Sequence, residues 1–258
     1  TVPAGVTSVT IEAYGAQGGS ASAPTFVGGL GARMKGDFAV TPGQVLTIAT
    51  GGQGIESNGC GGGGGGSFVV SSGTPLLIAG GGGGLRQAAG QNGNPGVVEE
   101  YGTTGSEANS TGGGLPNTSV YGEGGSVISP WWYGSAGAGF YTNGMDDVDP
   151  TNLAVYGYGG IAFVNGASTQ NNIAPYNCSG FSADGGFGGG GQGNGCDGGG
   201  GGGGYTGGDG GHVAGGGGSY NIGTNQDNTS GVRSGNGLVV ISYAGTSSGD
   251  CGCTDPSA

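Results

Sequence analysis

Few residues in this chain have the type and spacing to do chemistry. The only histidine, His212, lies inside a glycine-rich block. Acid–base catalysis and zinc binding both require further ionisable groups at defined spacing. There is no second histidine, Cys251-Gly252-Cys253 has no partner pair, and no G-x-S-x-G word occurs. His212 therefore reads as a loop or bundle-surface residue. Asp146, Asp147 and Asp149 are a weak calcium candidate, because hard cations favour clustered oxygens. Their spacing is not that of an EF-hand and Pro150 follows, so a solvated acidic loop is the better reading. The triplet Trp131-Trp132-Tyr133 is the candidate binding site, with two readings: packing that caps a glycine bundle, or an aromatic platform for a glycan or partner protein. The many G-x-G-x-x-G matches in the glycine blocks are accidental, since none opens a helix and no GK[ST] follows. No catalytic residue, metal or cofactor is expected, and the chain reads as non-enzymatic.

The charge balance narrows the partners. Sixteen acids face only Arg33, Lys35, Arg86 and Arg233, for a net charge of −12. Nothing here could neutralise a phosphate backbone, so nucleic acid is excluded as a partner, and anionic membrane surfaces are disfavoured. No apolar run is long enough to insert into a membrane. The opening Thr1-Val2-Pro3, with no visible signal peptide, reads as a mature form or an excised fragment. Few lysines, many Ser, Thr, Asn and Gly, and five cysteines point to an extracellular or cell-surface setting. Two disulfides with one odd thiol, or an intermolecular bond, fit that count. Asn109, Asn117, Asn177 and Asn228 stand in N-x-[ST] sequons, which in a eukaryote would mark glycosylated surface.

The elements that must position these residues are strands. Val6, Val9, Ile11 and Ala13 alternate with Ser8, Thr10 and Glu12, which predicts a half-buried strand over 1–14. Further strands are expected at 31–40, at Val45–Ala49, and in a hairpin of 67–70 with 75–79 around Ser72-Gly73-Thr74. The continuous apolar run of 237–243 suits a buried central strand. Residues 85–180 look like an irregular aromatic and acidic insertion that decorates the rest. Residues 1–245 thus form a single domain, and 246–258 read as a Ser/Gly/Cys linker. No helix is expected, because no window carries a glycine-free 3.6-residue stripe.

Between the strands stand glycine blocks at 59–66, 80–84 and 185–218. With 75 glycines and ten prolines, such a composition usually signals disorder. Disordered chains are usually also highly charged, and this one is not. An extended helix with three residues per turn has no internal hydrogen bonds and points its N–H and C=O groups outward. Several packed side by side could bond to one another, and only glycine permits so close an approach. Flexible glycine loops are the alternative.

Several words occur in order: VPAGVTSVTIEAYGAQGG (2–19), VLTIATGGQG (45–54), GGGGGGSFVV (61–70), PLLIAGGGGG (75–84) and GGFGGGGQGNGCDGGGGGGGYTGG (185–208). The set resembles the glycine-rich extracellular region of the anaplastic lymphoma kinase and leukocyte tyrosine kinase receptors. Residues 2–84 and 185–243 carry the match. The resemblance implies an all-β fold, a TNF-like jelly-roll β-sandwich with an inserted bundle of polyglycine II helices and essentially no α-helix. It also implies a disulfide between Cys178 and Cys196, leaving Cys60 without a secure partner, with Cys251 or Cys253 as candidates. The family's cytokine-binding residues find no counterpart here. The tail GDCGCTDPSA (249–258) is similar to the start of the CTDP-type repeats that follow secreted and surface proteins of Bacteroidota-type bacteria. The expected function is an extracellular structural or adhesive surface protein, self-assembling into a fibre through terminal β-strands. The alternative is a receptor-like or adhesin module that binds a surface protein or glycan through its aromatic loops.

Overall fold

The computed structural model describes residues 1–21, 25–57, 59–106, 111–128, 133–168, 174, 182–194 and 198–244. Strand β1 (Ser8–Tyr14) follows its period-two pattern, with Val9, Ile11 and Ala13 buried and Ser8, Thr10 and Glu12 turned away from the core. It pairs antiparallel with β2 (Gly31–Ala39), which sets Val9 opposite Phe38 and Ala13 opposite Met34 on the buried face. Next come β3 (Leu46–Ala49), β4 (Ser67–Ser71) and β5 (Thr74–Ala79). The expected hairpin forms between β4 and β5. Its two turn residues, Ser72 and Gly73, both have positive φ (49° and 80°), the geometry that matches strand twist. Five short strands follow: β6 (Asp147–Val148), β7 (Val155–Gly157), β8 (Ser182–Ala183), β9 (Gly193–Asn194) and β10 (Tyr220–Asn221). Two longer ones, β11 (Thr229–Arg233) and β12 (Leu238–Ser242), end the series. Among the described residues the only helical turn is a 3₁₀ turn at Phe163–Asn165.

Two four-stranded antiparallel sheets, ordered β11-β2-β1-β12 and β10-β5-β4-β3, form a β-sandwich. Ile11, Met34 and Phe38 of the first sheet share one core with Val69 and Leu77 of the second. Each such side chain contributes about 1.5–3 kcal/mol when fully buried. The second sheet is apolar on its other face as well. There Phe68, Val70 and Ile78 pack with Phe140, and Phe163, Tyr205 and Tyr220 close over them.

The run at 237–243 corrects one expectation. Strand β12 is an edge, hydrogen-bonded to β1 alone, and Leu238 and Val240 are 38% and 44% exposed. An apolar run with no alternation does not distinguish a buried strand from an edge, and here β1 and β2 take the central places.

The glycine blocks are ordered by their backbones, in a repeat of three. Gly61 and Gly64 donate to the carbonyls of Leu85 and Gly82. Gly62 and Gly65 donate to Ile55 and Gly52, and Gly63 and Gly66 to Gly191 and Gly188. Each third residue thus returns to the same neighbour. The run 199–204 does the same: Gly200 and Gly203 bond to Gly61 and Gly64, and Gly201 and Gly204 to Ser135 and Ala138. A Cβ on Gly81 would fall on the carbonyl oxygen of Gly64, and one on Gly202 on that of Gly81. No other residue fits at that spacing.

The stretch 85–180 is more than decoration. Asn94, Glu123 and Ser135 accept hydrogen bonds from Gly83, Gly207 and Gly201, and Thr103 exchanges bonds with Gly216. Parts of it are therefore segments of the lattice, although they are poor in glycine words. Bonding outward to neighbours requires an extended backbone, which polar residues adopt as readily where their side chains have room.

Candidate functional site

The described surface brings five tyrosines together on one face. Tyr220 lies on β10, opposite Ile78 of β5. Its ring stacks on Tyr205 at 4.5 Å between centroids and 30° between planes. Tyr205 is fixed by its own backbone: its N–H donates to Gly218 O, and its carbonyl accepts from Phe140 N–H, both at 2.8 Å. Tyr141 follows Phe140 and meets that ring edge-on at 4.8 Å. Its own ring lies over Gly122, where a Cβ would displace it and would also touch Tyr205. Gly122 is held there by Thr206 Oγ1 at 2.9 Å. Tyr121 and Tyr101 extend the face, and Tyr101 is half-buried. Tyr121 and Tyr141 are 57% and 49% exposed.

Carboxylates border these rings. Glu99, Glu100 and Glu123 are exposed, while Arg33 on the sandwich pairs with Glu12 and Asp227. Burial, then the charges of Glu99 and Tyr121, pushes the Tyr101 phenol up. Burial followed by Tyr141, Glu100 and Tyr220 does the same to Tyr205. No lysine or arginine is among the groups acting on either phenol. The face is therefore aromatic and bordered by acids, and its rings at Tyr141, Tyr205 and Tyr220 are held by packing.

The residues singled out by sequence are dispersed. Trp131, Trp132, Cys178, Cys196, Cys251 and Cys253 lie outside the described residues, as do the sequons at Asn109 and Asn177. Tyr133 is half-buried, its ring 4.4 Å from that of His212. His212 is buried rather than at a bundle surface, at 6% exposure, with Nε2 3.4 Å from an Arg86 guanidinium nitrogen. Its backbone explains this: it belongs to the lattice, accepting from Arg86 N–H and donating to Ser106 O.

The three aspartates do not converge. Asp146 accepts from Gly159 N–H, Asp147 from Asn194 Nδ2 and Asp149 from Thr151 N–H. Asp147 and Asp149 are buried, which overturns the solvated-loop reading for both. Among the described residues no group of three or more His, Cys, Asp or Glu is placed to hold a metal ion. Cys60 is a buried free thiol, its pKa pushed up to about 11 by burial. Asn117 is no glycosylation site in the folded chain: it is 8% exposed, and its Nδ2 donates to Gly207 O and Asp209 Oδ1.

The tyrosine face escaped the sequence reading because its members are spread from 101 to 220. Only the lattice bonds that lay 122 beside 206, and 205 beside 218, bring them together. No protein-family model matches the chain, and no curated protein matches it significantly in sequence.

Proposed function

We propose that this is a non-catalytic, extracellular structural or adhesive module that associates with copies of itself through its edge strands. One observation carries the reading. The two sheets end side by side on β3 and β12, and neither edge is guarded. Strands LTIA and LVVIS carry no charge and no proline, the usual devices that stop an edge from recruiting another strand. Val45, Ile48, Leu238, Val240 and Tyr243 are exposed along them. Between them runs a groove of about 230 Å³ lined by Leu46, Ile48, Ile241 and Tyr243 and by the N-terminal Val2 and Pro3. The opposite edge contrasts: β11 is bulged and carries Arg233, and β10 has two residues. A strand from a second copy would satisfy the free backbone groups and cover the apolar ones.

The finer architecture belongs to the same proposal. The three-residue return of hydrogen bonds supports polyglycine II helices packed side by side. The facing antiparallel sheets are compatible with the TNF-like sandwich implied by the receptor resemblance. No described helix is long and apolar enough to cross a membrane.

Sedimentation velocity with negative-stain imaging tests assembly. The native protein should form elongated oligomers as concentration rises, and Ile48→Lys/Val240→Lys should remain monomeric while equally folded. A native protein that stays monodisperse and monomeric at high concentration refutes self-association.

A further inference from the structure

We propose that the tyrosine face centred on Tyr141 and Tyr121 is a binding site for an uncharged glycan chain. The inference rests on the adhesive half of the function above and supplies its ligand class. Self-association through β3 and β12 uses a different part of the surface.

The geometry of the rings comes first. Tyr205 and Tyr220 pack against the second apolar cluster, and Tyr141 is braced edge-on by Phe140. In these three rings little side-chain freedom remains to be lost when a ligand lands, and ordering rotamer-rich side chains is a main cost of binding. The tyrosines sit on backbone segments bonded one to the next: Tyr141 N–H donates to Gly122 O, Phe140 N–H to Tyr205 O, and Tyr205 N–H to Gly218 O. A cage of inward-facing rings suits a single cation. A row suits a chain of rings, because a pyranose presents an apolar face of C–H groups that matches the negative face of an aromatic ring.

The polar rim then narrows the class. Phenol hydroxyls donate, and the exposed carboxylates of Glu99, Glu100 and Glu123 accept, so sugar hydroxyls find partners of both kinds. Hydrogen bonds to charged groups contribute about 1.5–3 kcal/mol, more than neutral ones. The chain carries a net charge of −12, sixteen acids against four lysines and arginines. A sulfated, phosphorylated or uronic-acid polymer would be repelled. The complementary ligand is a neutral polysaccharide.

An array of neutral, amino and acidic glycans, probed with the full chain, tests the proposal. The native protein should retain neutral glycans and reject acidic ones. Tyr121→Ala/Tyr141→Ala should weaken binding at least tenfold, and Tyr121→Phe/Tyr141→Phe, which keeps the rings, by less. Unchanged circular dichroism and thermal midpoint in each variant separate a binding loss from a folding loss. If neutral glycans bind but only Trp131→Ala/Trp132→Ala abolishes it, the adhesive reading stands and this face is the wrong site. If no glycan binds, or only acidic ones do, the proposal fails. It also fails if octa-arginine binds this face and no neutral glycan does.

Discussion

Replacing Gly202 by alanine would test whether glycine is required here for closeness rather than for flexibility. Gly202 donates to Gly215 O and accepts from Gly208 N–H, both at 2.9 Å. Its missing Cβ would fall on the Gly81 carbonyl and lie 3.0 Å from Gly217 N. Those two groups are hydrogen-bonded to each other at 2.8 Å. Alanine must therefore wedge that bond apart and leave two buried groups unmatched, at about 1–3 kcal/mol each. Against this, alanine restricts the unfolded chain and returns about 0.4–1 kcal/mol. The net loss is about 1–5.5 kcal/mol, a large share of the roughly 5–15 kcal/mol that a domain has. Gly43→Ala is the control. Gly43 has φ +84° and nothing within 4 Å of its Cβ position, so it should lose only about 1–2 kcal/mol of left-handed strain. Urea unfolding at equal m-value reads both. If Gly202→Ala costs no more than Gly43→Ala, the lattice is not close-packed by backbone contact and the reasoning fails.

Three further outcomes are expected. Cys60 should resist iodoacetamide in the folded protein and react at once in denaturant, since its thiol is buried and its pKa is raised; rapid native labelling would contradict this. Asp209 accepts from Ser126 N–H, Ser126 Oγ and Asn117 Nδ2, yet burial outweighs these bonds and pushes its carboxyl above the ordinary value of 3.8. The folded form thus holds this proton more tightly than the unfolded one, and its contribution to stability is lost as pH rises from 3.8 through the folded value. The stability of Asp209→Asn relative to native should therefore climb over that window, and a flat difference would contradict it. Asn117→Ala should destabilise by about 1–3 kcal/mol, because Gly207 O and Asp209 would lose a buried donor; thermal melts check it.

The strands of the sandwich were legible because alternation is local. Val9, Ile11 and Ala13 report a buried face within seven residues, and Ser72-Gly73 declares its own turn. Which strand lies at an edge is not local: LVVIS reads the same in either place, and only its pairing with β1 alone decides. The lattice was legible as a possibility from glycine runs, but not its membership. Asn94, Thr103 and Ser135 join it with ordinary side chains, because what they share with glycine is an extended backbone and a neighbour at the right spacing. The tyrosine face was invisible for the same reason. Tyr141 and Tyr205 come to flank Gly122 through the order in which segments stack, and nothing in their flanking residues encodes it.

The three-way bonding of the glycine runs has a mechanical consequence. A sheet can be peeled from its margin, one ladder at a time, under a force of a single direction. The segment 61–66 is tied to 82–85, to 52–55 and to 188–191 in turn along its length. Pulling it from any one neighbour loads the other two, so no direction across its axis is weak. Such a body should fail as a whole above a threshold rather than fray, and its amide protons should exchange with solvent together.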